Sequence, residues 1–416
     1  MHKMQRNHDN PFLGGLSVWP VLLAYYTGVA TAAGAMIAWS GNKKVGKRKI
    51  ILFHQEKPLP SCRALLQKRG GQVLKELPLV HALVARIPAE GRVIEELGLH
   101  PDIRLIEDDF EVHTVELPAS QIQQEKQIVP WGVERIGAPR AWQVATGEKV
   151  KVAVLDTGLD AGHPDLAANV RGTQNIKFPG WRAGDGNGHG THVAGIIAAL
   201  NNSLGVVGVA PRAEIYGVKI FNRRGDGYIS DIVAGLDWAL KNKMQVVNMS
   251  FGTSRPSQAL EEAVRKCVHA GMVLVAAAGN EGRDDSVLYP ARYPGVIAVS
   301  AIDKNDNLAS FSSHGPEVTV TAPGVDILST YPGGKYMTMS GTSMACPHAA
   351  GVAALILAQD RRLSGRQVAR IICRTAIKLP GLSPREQGDG LVNATALAAA
   401  ACFIGETGTA GEKPAS

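Results

Sequence analysis

The chain has 416 residues, 45% of them apolar and 19% charged, with 46 glycines and 5% aromatics. This is ordinary globular usage, so wholesale disorder is excluded, and the length calls for two or three units. The net charge of +7 divides as +5 over residues 1–48, −3 over 49–125 and +5 over 126–416; no dense basic stripe with interleaved aromatics occurs, which excludes a nucleic-acid partner.

Phe12 to Trp39 is a run of 28 residues without a charge. Ala30-Thr31-Ala32 and Ala33-Gly34-Ala35 fit the small-x-small pattern of a signal-peptidase site, and the run is also long enough to span a bilayer. Lys43, Lys44, Lys47, Arg48 and Lys49 follow it. More positive charge thus lies after the run than before it, which speaks against simple export. Residues 1–40 are an export signal or an uncleaved anchor. The expected location is extracellular, secreted or else membrane-anchored through this segment alone.

Lys49–His54, Val73–Leu77 and Ala82–Ile87 read as strands, Ser61–Arg69 and Gly91–Leu99 as helices, and Ile103–Glu107 with Phe110–Val112 as strands that close the unit. The order over residues 49–116 is β-α-β-β-α-β, the split βαβ arrangement. Residues 117–128 are polar, with Gln121, Gln123, Gln124 and Gln127, and read as a linker. Unit and linker together fill 41–125.

From about Gln127 the texture changes. Apolar runs Val150–Leu155, Ile215–Ile220, Val246–Met249, Val273–Ala277 and Val296–Val299 alternate with helix-length segments His192–Leu200, Ile229–Leu240 and Ala259–Ala270. This implies a parallel sheet covered on both faces, an α/β domain over 126–402. Residues 403–416 read as a disordered tail. The five cysteines are scattered with no CxxC pair, against a zinc site and a disulfide framework; they read as small buried residues.

Three strings carry chemistry. Val152–Gly158 ends a buried strand in Asp156-Thr157-Gly158, where open α/β sheets place ligands. Gly186–Gly195 holds His189 and His192 among four glycines. Met339–His348 puts Ser343 at a glycine-loosened helix start. Singly they are a strand-terminating Asp, a turn His and an N-cap Ser. Jointly they supply what a weak hydroxyl nucleophile needs: an imidazole base, and a carboxylate that fixes the imidazole tautomer. The Asp–His–Ser order differs from the two other common orders of this trio, and Gly341-x-Ser343-x-Ala345 lacks the second glycine of an esterase nucleophile elbow.

Asp156-Thr157-Gly158, His189-Gly190-Thr191-His192-Val193-Ala194-Gly195 and Gly341-Thr342-Ser343-Met344-Ala345-x-Pro347-His348 closely resemble the subtilisin-like serine proteases, over about Gln127–Cys402. The resemblance implies a three-layer, doubly wound, mostly parallel sheet, preceded by a ferredoxin-like propeptide that inhibits and templates the enzyme. It implies a serine endopeptidase acting through an acyl-enzyme on protein and peptide substrates, made as an autoprocessed zymogen cut near Gln123–Gln127; the rival is a catalytically silent regulatory protein on the same fold. Asp156, His189 and Ser343 match the orienter, general base and nucleophile. Asn280, after Ala277-Ala278-Gly279, matches the oxyanion donor, with the Ser343 backbone N–H as the second.

By the same resemblance, Gly225, Asp226 and Gly227 are the edge that pairs with an extended peptide, and Ser250, Phe251, Gly252, Ala277 and Gly279 wall the specificity pocket. Leu288 stands where many members carry a small residue, which shortens that pocket against large aromatics. Phe221, Ile232 and Phe251 line an apolar pocket further along. A structural calcium site is implied at Gln127, Asp165, Leu200, Asn202, Leu204 and Val206, hard oxygen donors suited to Ca²⁺. His192 and His348 are structural, Cys346 is a small buried residue of the nucleophile helix, and a monomer is the default.

Overall fold

The first elements follow the expected order. The computed structural model describes residues 46–89, 92–114, 120–122 (backbone) and 126–395; residues 1–40 and the tail from 403 lie outside it. Strand β1 (Lys47–Phe53), helix α1 (Leu59–Lys68), strands β2 (Gln72–Leu77) and β3 (Ala82–Ile87), helix α2 (Val93–Gly98) and strand β4 (Ile103–Asp108) come first. The strands make an antiparallel sheet ordered β2-β3-β1-β4. Period-2 alternation sorts its side chains. Ile51, Phe53, Leu83 and Ile87 pack under the helices with Cys62, Leu66 and Leu97. Ile50, Leu52 and Val84 face the rest of the protein.

The expected closing strand Phe110–Val112 does not close this sheet. Strand β5 (Glu111–Thr114) and strand β6 (Ser120–Ile122) leave it. Part of the predicted linker is therefore β-structure; residues 115–119 and 123–125 lie outside the described residues.

Helices α3 (Trp131–Arg135) and α4 (Ala138–Ala141) lead into strands β7 (Lys151–Asp156) and β8 (Val170–Asn175), helix α5 (His189–Ala198), strands β9 (Glu214–Lys219) and β10 (Asp226–Tyr228) and helix α6 (Ile229–Lys241). Strands β11 (Val246–Met249) and β12 (Phe251–Gly252), helix α7 (Gln258–His269), and strands β13 (Val273–Ala277), β14 (Val296–Ile302), β15 (Val320–Pro323), β16 (Ile327–Tyr331) and β17 (Lys335–Met339) follow. Helices α8 (Thr342–Gln359), α9 (Gly365–Thr375) and α10 (Pro384–Gln387) end the described chain. A seven-stranded sheet, ordered β15-β14-β13-β11-β7-β9-β8, is parallel throughout. Val152 and Val154 point to one face, with Val193, Ala349 and Ala353. Ala153 and Leu155 point to the other, with Ile232, Leu236, Leu260 and Val264. The result is a three-layer α/β fold. Helix α8 is buried from Thr342 to Leu357, which its apolar, small-residue composition permits all round.

Residues Lys47–Ile87 and those from Arg92 onward make one compact unit; the other, Met1–Gly46 with Pro88–Gly91, falls almost wholly outside the described residues. The β1–β4 sheet rests on α6 and α7. Glu107 takes the Ser257 hydroxyl at 2.7 Å and the N–H groups of Gln258 and Ala259 at 3.0 and 3.2 Å, at the N-terminus of α7. Asp109 takes the N–H and hydroxyl of Ser230 at 2.9 and 2.8 Å, in the first turn of α6. A carboxylate at a helix N-terminus contributes roughly 0.3–1 kcal/mol, and more when partly buried. Ion pairs Arg48–Asp109 (2.5 Å), Arg104–Glu262 (2.5 Å) and Lys75–Asp231 complete the contact.

Candidate active site

The three motif strings meet at the carboxyl ends of the parallel strands. Asp156 is the last residue of β7. His189 is the first of α5, and Ser343 lies in the first turn of α8. All three are fully buried. His189 Nδ1 donates to Asp156 Oδ1 at 2.7 Å, and the Thr157 N–H reaches the same oxygen at 2.7 Å. Gly190 allows α5 to come this close, since a Cβ there would meet the Gly158 carbonyl at 2.2 Å.

A residue the sequence motifs did not single out organises this corner. Asp185 accepts from Thr157 Oγ1 (2.9 Å), the N–H groups of Asn187, Gly188 and Thr191 (3.1, 2.8 and 2.9 Å) and Thr191 Oγ1 (2.7 Å). The first turn of a helix has N–H groups without intrahelical partners. Here one carboxylate takes the Thr191 N–H of that turn together with those of Asn187 and Gly188 just before it, and so braces the helix start that carries His189. Its signal was the Asp185-x-Asn187-Gly188 turn chemistry. Lys219, beside Asp156 in the β7–β9 register, donates to the Thr157 carbonyl. Burial pushes its ammonium below the usual range, while Asp185 and Asp156 pull the other way.

Ser343 is tied to the wall of the site twice. Its Oγ donates to the Ser250 carbonyl at 2.9 Å, and Ser250 Oγ donates to the Ser343 carbonyl at 2.8 Å. The second bond has a sequence cause. Pro347, four residues on, has no N–H to offer that carbonyl. Asn248 Nδ2 donates to Ser250 Oγ at 2.9 Å and the Cys346 thiol donates to Asn248 Oδ1 at 3.2 Å. Burial pushes that thiol up to about 12, so it is a neutral donor here. Asn280 Oδ1 accepts from the Thr342 N–H (2.9 Å) and Oγ1 (2.7 Å), which fixes the side-chain amide beside the start of α8.

His192 and His348 serve the scaffold. His192 Nε2 donates to the carbonyls of Met337 and Ile327 at 2.9 and 3.1 Å, and His348 Nδ1 to that of Met344 at 2.8 Å. Burial depresses them to about 3 and about 4.

Strand β5 lies between β10 and β12, antiparallel to both. Val112 pairs with Gly227, His113 with Asp226 and Gly252, Thr114 with Phe251. The Thr114 N–H reaches the Gly225 carbonyl at 3.0 Å. Gly225, at φ +80°, has room for this strand because it lacks a Cβ, which would meet Thr114 Oγ1 at 2.2 Å. Val112 is buried in one cluster with Phe221, Ile232 and Phe251, whose two rings pack edge to face at 5.1 Å. Leu288 is buried against Gly252 and Gly279, in the space a Cβ on either would need. Ala277 ends β13 beside them.

A second cluster collects oxygens. The Gln127 side-chain amide has the carbonyls of Leu200, Leu204 and Val206 at 2.7, 3.2 and 3.4 Å, and Asn202 Oδ1 at 3.2 Å. An NH₂ group has two hydrogens for these four acceptors; turning the amide over puts its own oxygen among them. The donor set is that of a hard-cation cage. Asp165 stands behind it, with Asn202 Nδ2 on Oδ1 (2.8 Å) and the Val206 N–H on Oδ2 (2.9 Å). Burial raises the Asp165 carboxyl above its ordinary range.

The sequence profile described as "Subtilase family" matches residues 147–395. An alkaline protease of Alkalihalobacillus alcalophilus is 46% identical over 326 residues, 78% of this chain and 81% of that protein. A thermostable alkaline protease of Halalkalibacterium halodurans is 44% identical over 321 residues, 77% and 83% of the two chains. Subtilisin E of Bacillus subtilis is 41% identical over 391 residues, 92% of this chain and 98% of that one.

Proposed function

The chain belongs to the subtilase family of serine peptidases, and we propose that it cuts peptide bonds with Ser343 as nucleophile, His189 as general base and acid, and Asp156 as orienter. The observation that carries this is the buried Asp156–His189 pair at 2.7 Å at the same strand ends as the Ser343 helix start. Asp156 fixes the His189 tautomer with Nδ1 protonated, which leaves Nε2 as the basic nitrogen. His189 takes the Ser343 proton as Oγ attacks the carbonyl carbon, then gives it to the leaving amine. Water repeats the sequence on the acyl-Ser343 ester and frees the acid. The oxyanion is met by Asn280 Nδ2 and the Ser343 backbone N–H, each such donor worth roughly 3–4 kcal/mol of transition-state stabilisation.

Substrate runs extended between β10 and β12, its main chain on Gly225, Gly227 and Gly252, as β5 does in this chain. Phe221, Ile232 and Phe251 take an apolar side chain where Val112 lies. Residues 41–125 are the propeptide, held on α6 and α7 as an inhibitor. The described end of β5, Thr114, lies one register step from the Ser250 that holds Ser343. This moves the expected cut from the Gln-rich stretch to the residues directly after Thr114. The cage of Gln127, Leu200, Asn202, Leu204 and Val206, braced by Asp165, is a structural calcium site; calcium supplies charge to cross-link these loops and takes no part in the reaction. The protein is secreted, with membrane tethering through residues 1–40 as the alternative, and acts as a monomer. No helix among the described residues is long and apolar enough to cross a membrane.

Intact mass and N-terminal sequencing of wild type beside Ser343→Ala test this. The wild type is expected to lose the residues up to and including Val115, the one next after the Thr114 that faces Phe251, and to cleave peptides; the variant is expected to keep them and to be inert. A Ser343→Ala protein that still processes itself and cleaves peptides would overturn the assignment.

A further inference from the structure

We propose that Asp226 makes the cleft selective for a cationic side chain on the third residue to the N-terminal side of the cut bond. This rests on Ser343 as the nucleophile and deepens that reading to a substrate class. Ser250 holds Ser343, so a substrate in the β5 register puts its first residue opposite Ser250. The second then faces Phe251, as Thr114 does, and the third lies between Gly252 and Asp226, as His113 does.

Strand alternation separates the two neighbouring side chains. Val112 points inward to the apolar cluster, whereas His113 points outward. Its Nδ1 lies 2.8 Å from Asp226 Oδ1. The carboxylate is held by the protein's own loop. Asn222 Nδ2 donates to Asp226 Oδ2 at 3.2 Å, and Asn222 Oδ1 accepts the N–H groups of Arg224 and Asp226 at 2.7 and 3.1 Å. The acid is therefore aimed at the cleft by the loop that carries it, not by the strand that lies there.

The surrounding charges set the sign and size. The His113 ring, together with Asn222 and Arg224, holds the Asp226 carboxyl below the usual carboxylate range, and a partly exposed aspartate is ionised at neutral pH without that help. A lysine or arginine in the position of His113 meets that charge; a glutamate there meets a like charge. The pair is partly exposed, with side-chain exposures of 61% for His113 and 27% for Asp226. Pairs of that kind contribute little, so the expected discrimination is about threefold in each direction. It should shrink as salt screens the charges.

The test uses three peptides that differ only at this position, with Lys, Ala or Glu, and the full-length protein as it matures. For the wild type, kcat/KM is expected to run Lys over Ala by about threefold and Ala over Glu by a similar factor, both ratios falling toward one at about 0.5 M salt. Within Asp226→Asn both ratios should collapse, and within Asp226→Lys the order should invert. Wild-type ratios near one, or ratios that persist in Asp226→Asn, overturn the proposal and leave the nucleophile assignment standing. If none of the three peptides is cut by the wild type, the nucleophile assignment falls and this proposal with it.

Discussion

Two buried histidines outside the proposed catalytic set weaken the fold as the medium turns acid. His192 and His348 are wholly buried and neutral, with values depressed to about 3 and about 4. In an unfolded chain histidine takes its proton near pH 6.5. Below that pH the unfolded state binds more protons than the folded one, so stability falls as pH falls. The loss is about 1.4 kcal/mol per pH unit for each histidine, continuing until the folded values are passed. Urea midpoints of the Ser343→Ala protein should therefore be clearly lower at pH 5 than at pH 7, and His348→Gln should flatten that slope. A slope left unchanged by His348→Gln would show that this imidazole is not held neutral by the fold. At this scale the buried Asp156–His189 pair and the Ser343 helix start were legible, because each residue sits in a string whose glycines and neighbours are as restrictive as the residue itself. Asp185 and Thr342 were not. They act through backbone N–H groups and one amide oxygen, which single residues in a loop do not advertise.

On the proposed reading Leu288 limits what the primary pocket admits, because of the elements it stands between. It fills the space beside Gly252 on β12 and Gly279 after β13. Leu288→Ala should open that space and raise kcat/KM for Phe or Tyr over Ala at the first substrate position by roughly tenfold, since each methylene in an apolar pocket is worth about 1–3 kcal/mol. An unchanged preference would place the pocket floor elsewhere. Melting curves should accompany the assay, as trimming a buried leucine costs about 2–5 kcal/mol. Among the elements themselves, the central strands were readable as apolar runs. β8 was not, because Val-Arg-Gly-Thr-Gln-Asn forms a half-exposed edge. β5 misled for another reason: its pattern identifies a strand but not its partner, and its partners are β10 and β12 rather than the sheet it follows.

The oxygen cage acts on the whole molecule by fastening the segment before α3 to the loop after α5. Backbone bonds from Gln127 to Ser203 (3.2 Å) and from Ile128 to Gly205 (2.8 Å) run beside it. A cation held at a hundred times its dissociation constant adds about 2.7 kcal/mol, which is roughly 5–10 °C for a domain of this size. Chelation of the Ser343→Ala protein should lower Tm by about that much, calcium should restore it, and Asn202→Ala should remove the calcium-dependent part. A Tm indifferent to chelator and calcium would remove the metal from the account.

Strands β10 and β12 stand one strand apart, with β5 between them, and on the proposed reading a substrate takes that place once β5 has left it. Only a backbone that is already extended, with its N–H and carbonyl groups unclaimed, can fill it. A native helix or an interior strand of a target offers neither. Among stretches with equally acceptable side chains, the rate at which a folded target is cut should therefore follow how often the stretch opens. Targets sharing one cleavable sequence would then be destroyed in the order of their local opening free energies. Proline in the Thr114 position should slow cleavage several-fold even in a fully unfolded chain, since it cannot donate to the Gly225 carbonyl, a bond worth about 0.5–1.5 kcal/mol.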